Sequence, residues 1–198
     1  MNVSREIVKA LEQFQLLALK WNKSINLVSS STVEEFWTRH ICDSLQLMQY
    51  IENKDIRLID VGSGAGFPGL VLSIAGIKNV ILIEADIRKA AFLYQASKIS
   101  NNKVQIINQR IEEIKLNCDI FTCRAVAPLQ KILSYGKNIT VNNKYLLLKG
   151  AEAQKEINDA RKEWSFCCVV HDSITSKSGK ILEISEVIKL YDKKTSNS

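Results

Sequence analysis

Histidine is scarce in this chain, and the cysteines do not have the spacing of a metal site. The 198 residues include two histidines and five cysteines, and no two cysteines form the Cys-x-x-Cys pair of common zinc sites. With so few candidate ligands, we expect no metal site. We expect the cysteines to be reduced thiols, most of them buried.

Long apolar segments are also lacking. No apolar run approaches the roughly 18 residues that a membrane-spanning helix requires. Residues 1–6 do not contain the apolar region of a secretory signal peptide. These absences predict a cytoplasmic protein with no membrane partner.

The composition is that of a globular protein with an excess of positive charge. Hydrophobic residues make up 46% of the chain, charged residues make up 24%, and the formal net charge is +6. The length predicts a single domain over residues 1–198. The charge favours a polyanionic partner such as a nucleic acid, but on charge alone a solubilising surface explains it equally well.

A glycine-rich stretch organises the rest of the chain. An apolar run that predicts a buried strand passes through alternating glycines into a predicted helix, in Asp60-Val61-Gly62-Ser63-Gly64-Ala65-Gly66-Phe67-Pro68-Gly69. Glycine tolerates positive φ and lets the backbone lie against a ligand, and proline suits the first helical position. The pattern is typical of a nucleotide-binding loop. The alternative is that the glycines form only a tight turn.

The first quarter of the chain is predicted to be helical. Apolar residues at helical spacing predict one helix over residues 4–21, and Ser31 with Glu34 predicts a capping box at the start of a second. His40 falls on the apolar face of this second helix, where a histidine is more often a core residue than a catalytic one. We assign residues 1–52 to a helical extension.

Strands and helices then alternate. Strands are predicted at residues 57–60, 80–84, 104–107, 119–123, 145–148, 166–170 and 181–190. This order predicts an α/β fold with a seven-stranded, mostly parallel sheet and helices on both faces. The last two strands are predicted to form a hairpin, which would place an antiparallel strand at the edge of the sheet. We assign residues 55–190 to this Rossmann-like core. Residues 191–198 are predicted to be a disordered tail.

The glycine stretch and an acid after it point to a ribose-containing ligand. Gly64 to Gly69 match G-x-G-x-x-G, and Glu84 ends the second strand where an acid would bind a ribose. The match does not separate NAD from S-adenosylmethionine (SAM). A carboxylate at Asp60 suits a sulfonium and an ammonium group better than a pyrophosphate. The pair Tyr94 and Lys98 precedes the position that a dehydrogenase of the Tyr-x-x-x-Lys type would need.

Several short motifs follow one another along the chain. They are Trp21-Asn22-Lys23 with Asn26-Leu27, Arg39-His40-Ile41-Cys42-Asp43-Ser44, the glycine stretch from Asp60 to Gly69, Arg124-Ala125, and Leu148-Lys149-Gly150. Over about residues 5–190 they resemble the RsmG (GidB) family, which methylates N7 of a guanine in bacterial 16S ribosomal RNA. The Arg-His-x-x-Asp-Ser element makes the resemblance specific, because it is not a general feature of methyltransferases.

The resemblance implies a class I SAM-dependent methyltransferase fold, with SAM as cofactor, S-adenosylhomocysteine as product, and 16S rRNA or the small ribosomal subunit as partner. It implies cofactor contacts at Gly62, Phe67, Ile111, Glu112 and Arg124, with Glu84 on the ribose. The loop itself adds Asp60, Gly64 and Gly66 to the expected cofactor-binding residues.

The implied reaction needs no general base, because guanine N7 carries a free lone pair. Catalysis is then chiefly positioning and electrostatic support. The substrate-side candidates are Arg39, His40, Arg124 and Lys149, and a structural role for His40 or Lys149 is as compatible with the sequence. Two alternatives stay open, an NAD(P)-dependent oxidoreductase and a non-catalytic RNA-binding or ribosome-assembly factor. We expect a monomer.

Overall fold

A seven-stranded sheet dominates the computed structural model, which describes residues 3–190. The strands run in the order β3-β2-β1-β4-β5-β7-β6. Their bounds are β1 Arg57–Val61, β2 Asn79–Ile83, β3 Lys103–Ile107, β4 Leu116–Arg124, β5 Ile139–Lys149, β6 Trp164–Asp172 and β7 Lys180–Lys189. The tail predicted at residues 191–198 lies outside the described residues.

The sheet is mostly parallel, as predicted. The pairs β1–β2, β2–β3, β1–β4 and β4–β5 are parallel, and β7 is antiparallel to both β5 and β6. The closing hairpin is confirmed, but its antiparallel strand is not at the edge: β7 lies inside and β6 takes the edge. The reason is burial, since β7 contributes Ile181 to one apolar cluster and Leu182 and Ile184 to the other, whereas β6 is half exposed along its length.

Helices cover both faces of the sheet. Their bounds are α1 Arg5–Asn22, α2 Asp43–Leu45, α3 Gly69–Ile74, α4 Ile87–Ala96, α5 Leu129–Ser134 and α6 Ala153–Ala160. Leu11, Leu70 and Phe92 belong to the apolar cluster of one face, and Leu133 and Ile157 belong to that of the other. The apolar residues of β1 are divided between the two clusters, because successive side chains of a strand point to opposite faces of the sheet.

The first predicted helix is confirmed. Helix α1 begins after Ser4, whose hydroxyl accepts a hydrogen bond from the Ile7 amide at 3.4 Å. Its apolar face buries Leu11, Phe14 and Ala18. This face packs the N-terminal segment against α3 and α4.

The predicted capping box is wrong. Ser31 lies in a 3₁₀ turn, Ser30–Thr32, and its hydroxyl pairs with the Ser29 hydroxyl at 2.9 Å instead of capping a helix. The helical segment begins later, as a π-helical stretch Trp37–Cys42 that continues through α2 into a 3₁₀ stretch Gln46–Tyr50. The Ser31 hydroxyl bonds to a neighbouring hydroxyl and is therefore not available to cap a helix.

Candidate functional site

The glycine loop lies between β1 and α3, and its glycines have different tasks. Gly62, Gly64 and Gly66 have φ values of 67°, 56° and 88°, which favour glycine. A Cβ on Gly62 would lie 2.6 Å from a methyl carbon of Val126, so packing alone requires this glycine. A Cβ on Gly64 would meet no atom closer than 3.8 Å, so the chain leaves free space beside this backbone.

Asp60 is the penultimate residue of β1 and lies beneath the loop. Its side chain is fully buried, and Oδ2 accepts a hydrogen bond from the Gly69 amide at 3.0 Å. Oδ1 has no partner within residues 3–190, and burial raises the pKa of Asp60 to about 7. The carboxyl group therefore supports the start of α3 and is not open to a ligand in this structure.

Glu84 follows β2 and ties two segments together. Its Oε2 accepts a hydrogen bond from the Gly64 amide, and its Oε1 accepts one from the Asp86 amide, both at 2.8 Å. The side chain is nearly buried. Each carboxylate oxygen retains a second lone pair, so the group can still accept from two ribose hydroxyls.

Ile111 and Glu112 follow β3 in a 3₁₀ turn, Ile111–Glu113. Ile111 is buried among the residues of one apolar cluster. Glu112 is exposed, with its carboxylate 3.9 Å from the Lys131 ammonium. The Glu112 carbonyl accepts a hydrogen bond at 3.1 Å from the side chain of Asn138, which directly precedes β5.

An aromatic contact links Phe67 to two of the substrate-side candidates. The rings of His40 and Phe67 are stacked, with centroids 5.0 Å apart, and the Arg124 guanidinium lies 4.7 Å from the Phe67 centroid. Phe67 is 3% exposed. The side chain predicted to touch the cofactor thus also supports both His40 and Arg124.

His40 is a buried, neutral group. Its Nε2 pairs with the Thr32 hydroxyl at 2.9 Å, and Nδ1 has no partner within the described chain. Burial, with the neighbouring Arg124 and Arg39, lowers the pKa of His40 to about 4. A histidine with this pKa is uncharged at neutral pH.

Arg124 ends β4 and reaches back to the N-terminal segment. It donates to the Arg39 carbonyl at 3.1 Å and lies 3.7 Å from Oδ2 of Asp43. Burial lowers the pKa of Arg124, and Asp43 acts in the opposite direction. Arg39 itself is half exposed, with its guanidinium 3.9 Å from Glu35.

Lys149 ends β5 and is held by other groups of the protein. Its ammonium donates to the Ala127 carbonyl at 2.8 Å and to Oε2 of Glu156 at 2.7 Å, and its side chain is 6% exposed. The same Glu156 oxygen accepts from the Leu129 amide at 2.8 Å. The pair fixes the loop between β4 and α5, in which Ala125 has a φ of 53°.

Two cavities open at this edge of the sheet. One of about 630 Å³ is lined by Arg124, the β4–α5 loop, Lys149 and residues of α6. The other, of about 290 Å³, is lined by the N-terminal segment and the loop between β6 and β7. They share Asp43, Arg124, Lys149, Gly150 and Gly179.

Sequence reasoning missed four residues that hold this site. The sequence pattern assigns no role in the site to Asp43, Gln46, Glu156 or Thr175. Thr175 donates to Asp43 at 2.7 Å although 132 residues separate them. No local pattern encodes such a contact, whereas an acid seven residues after Lys149 could have suggested the Glu156 pair.

Within residues 3–190, no three His, Cys, Asp or Glu side chains lie close enough together to share a metal ion. No helix of this span combines the length and the apolarity needed to cross a membrane.

Comparisons with known sequences point to one family. The family model GidB, described as rRNA small subunit methyltransferase G, matches residues 7–185. A ribosomal RNA small subunit methyltransferase G from Rickettsia prowazekii (strain Madrid E) is 60% identical over 190 residues, which are 96% of this chain and 100% of that protein. The protein of the same name from Rickettsia felis is also 60% identical, over 96% of this chain and 99% of its own length.

Solved structures share the fold at low identity. A ribosomal protein L11 methylase from Lactobacillus delbrueckii subsp. bulgaricus has a TM-score of 0.60 at 11% identity, over 74% of this chain and 78% of its own. A magnesium protoporphyrin IX methyltransferase from Synechocystis PCC 6803, solved with bound SAM, has a TM-score of 0.58 at 12% identity, over 86% and 96%. These similarities confirm the predicted class I methyltransferase fold.

Proposed function

Because the chain belongs to the GidB family of rRNA small subunit methyltransferases, we propose that it transfers a methyl group from SAM to N7 of a loop guanine in 16S rRNA. The observation that carries this proposal is the 60% identity to ribosomal RNA small subunit methyltransferases G over nearly the full length of both chains. The glycine loop after β1 and the carboxylate of Glu84 after β2 also support it.

The residues present fit the cofactor. Gly64 leaves free space beside the loop, and Glu84 presents a carboxylate next to it. We propose that the loop glycines and Glu84 hold the cofactor, that Ile111 and Glu112 flank its adenine, and that Arg124 lies near its methionine portion. Asp60 and Phe67 would support this site from the protein interior. Asp60 holds the Gly69 amide, and Phe67 packs against the Arg124 guanidinium. Bound SAM supplies an electrophilic methyl group.

The protein's task in the transfer is to position the guanine. N7 would bond to the methyl carbon through its own lone pair as the carbon–sulfur bond breaks and S-adenosylhomocysteine leaves, so no side chain has to remove a proton. Arg39 and Arg124 are suited to the phosphates or to the acceptor edge of guanine, which presents N7 and O6. Neutral His40 stacks on Phe67 and paired Lys149 holds the β4–α5 loop, so both support the site.

A loop guanine is the substrate that this chemistry favours. A base in a hairpin loop can be splayed out and stacked in a pocket at lower cost than a base within a duplex. The 630 Å³ cavity beside Arg124 has room for a nucleoside. We further propose that the chain acts as a monomeric single domain in the cytoplasm.

The proposal is tested by methyl transfer from labelled SAM to naked 16S rRNA and to small subunits that lack the modification. We expect incorporation with the wild-type chain and none with Arg124→Ala, while the exposed Arg5→Ala control stays active. Displacement of S-adenosylhomocysteine by NAD would instead favour the oxidoreductase. Cofactor binding without transfer to either RNA would favour the non-catalytic factor.

A further inference from the structure

The loop between β6 and β7, residues 173–179, is fastened to the N-terminal segment. Thr175 donates to Oδ1 of Asp43 at 2.7 Å, and the Ile174 amide donates to Oε1 of Gln46 at 3.0 Å. Gln46 is fully buried and donates in turn to the Ser173 hydroxyl at 3.1 Å and to Asp43 at 2.8 Å. The loop is therefore held in one place by side chains from the far end of the chain.

This attachment brings the loop to the edge of the sheet where the site lies. β6 runs in the same direction as β5, and Lys180, the first residue of β7, pairs with Lys149. The loop and the N-terminal segment enclose the 290 Å³ cavity, which is lined by Thr32, Arg39, His40, Thr175, Ser176 and Ser178 together with the shared residues.

The lining of this cavity is rich in unused hydrogen-bond donors. Within the described residues, the backbone amides of Ser176, Lys177 and Ser178 donate to no acceptor. The two serine hydroxyls lie 3.5 Å apart, a marginal contact. Lys177, between them on the loop, is exposed and lies outside the cavity lining. Arg39 adds a half-exposed guanidinium.

The negative charge that lines the cavity is already engaged. Asp43 is the one acid among the lining residues, and its Oδ1 accepts from Thr175 while its Oδ2 faces Arg124. Clustered backbone amides, hydroxyls and basic side chains are the groups that bind a phosphate. Amide and hydroxyl donors beside a guanidinium, with the one lining acid already paired, thus fit a phosphate better than a cation.

We propose that the β6–β7 loop and Arg39 form a binding site for a backbone phosphate of the RNA, next to the guanosine that enters the larger cavity. The inference rests on the proposed function, because it takes RNA as the substrate. The loop binds the phosphodiester through the amides of residues 176–178 and the Lys177 ammonium.

Another anion at this edge is the carboxylate of the cofactor, but the sheet order argues against it. The expected cofactor residues lie at or after the ends of β1, β2, β3 and β4, and among them Arg124 alone lines the 290 Å³ cavity, whereas the loop leaves the sheet beyond β5. Neighbouring strands are about 4.8 Å apart. The loop therefore lies to the side of the cofactor, where the nucleotides flanking the target would run.

The test measures RNA and cofactor affinity on the same variants of the full chain. Lys177→Ala removes the ammonium and Ser178→Asp places a negative charge beside the amides. Lys103→Ala and Ser165→Asp make the same charge changes at exposed positions. These positions are at the starts of β3 and β6, at the end of the sheet opposite to the carboxyl ends of the parallel strands. The probes are naked 16S rRNA at several salt concentrations and S-adenosylhomocysteine.

We expect Ser178→Asp to weaken RNA binding at least about ten-fold, through repulsion of the phosphate. Lys177→Ala should reduce the slope of log affinity against log salt by about one, the value for one lost phosphate contact. Cofactor affinity should stay that of the wild type. Loss of cofactor affinity in Ser178→Asp would assign the loop to the cofactor and overturn the inference.

RNA affinities of the loop variants equal to those of the two controls would also overturn it, and would leave the proposed function intact. A wild-type chain that binds no RNA at any salt concentration would overturn the proposed function and this inference together.

Discussion

The carboxylate of Glu84 accepts a hydrogen bond from the Gly64 amide at 2.8 Å. The acid that follows β2 therefore fixes the loop that follows β1, and one side chain can serve both the shape of the loop and the ligand. Two neighbouring parallel strands are joined in this way at the edge where ligands of open α/β sheets bind.

This relationship predicts the effect of Glu84→Gln on cofactor binding. Glutamine has one acceptor oxygen where glutamate has two, so either the Gly64 amide or the Asp86 amide loses its partner. We expect S-adenosylhomocysteine affinity to fall at least about ten-fold by calorimetry. Glu113→Gln, at an exposed position of the 3₁₀ turn after β3, is the matched control and should bind as the wild type does. Equal affinities of the two variants for S-adenosylhomocysteine would contradict the assignment of Glu84 to the cofactor site.

The Lys149–Glu156 pair predicts a loss of stability. Lys149→Ala leaves Glu156 and the Ala127 carbonyl without their shared donor in a mostly buried place. We expect the free energy of unfolding in urea to fall by about 3 kcal/mol. Lys155→Ala removes an exposed lysine that lies 3.7 Å from Glu152, and should change it by less than about 0.5 kcal/mol. If Lys149→Ala keeps full stability, the pair does not support the β4–α5 loop.

His40 predicts a stability that decreases in acid. The folded protein keeps His40 neutral down to a pKa of about 4, whereas the unfolded chain protonates it near the ordinary value of 6.5. Between these values the unfolded state binds more protons, so this contribution to stability is lost as the pH falls. Relative to His40→Gln, the wild type should lose unfolding free energy between about pH 6.5 and pH 4. A constant difference across this range would contradict the assignment.

Asp60 predicts the opposite dependence. The pKa of about 7 in the folded protein lies above the ordinary value of 3.8, so between these values the folded state binds the extra proton. Stability contributed by this proton is present below about pH 3.8 and is lost as the pH rises from there to about 7. Asp60→Asn carries no titrating group, so its stability relative to the wild type should increase as the pH rises through this range. A difference that does not change with pH would show that Asp60 is ionised throughout.

Much of the fold follows from local sequence pattern. Alternating apolar strands and helices predict a parallel sheet, and the glycines with Glu84 predict the edge that carries the site. The strand β5 runs from Ile139 to Lys149 and is longer than the predicted residues 145–148. Its first half contains polar Asn142, Asn143 and Lys144, so the apolar pattern used to predict strands does not reveal it. That half pairs with β4 around an irregularity between Cys118 and Ile120.

The site itself could be predicted only in part. The sequence identifies Arg39, His40, Arg124 and Lys149 as candidates, but not that Lys149 is buried against Glu156 or that His40 stacks on Phe67. The attachment of the β6–β7 loop to Asp43 and Gln46 joins segments more than 120 residues apart. Contacts of this kind depend on the assembled sheet and leave no periodicity in the chain.

The measurement that tests the central claim most directly is the position of the methyl group on the RNA. Methylation at N7 gives guanine a positive charge and weakens its glycosidic bond, so borohydride and aniline cleave the chain at that nucleotide. Small-subunit RNA that lacks the modification is incubated with the protein and SAM, cleaved, and mapped by primer extension. We predict one new stop, at a loop guanine, that is absent with Arg124→Ala and present with Arg5→Ala. Methyl incorporation without a new break at any guanine would place the chemistry on another atom and contradict the account.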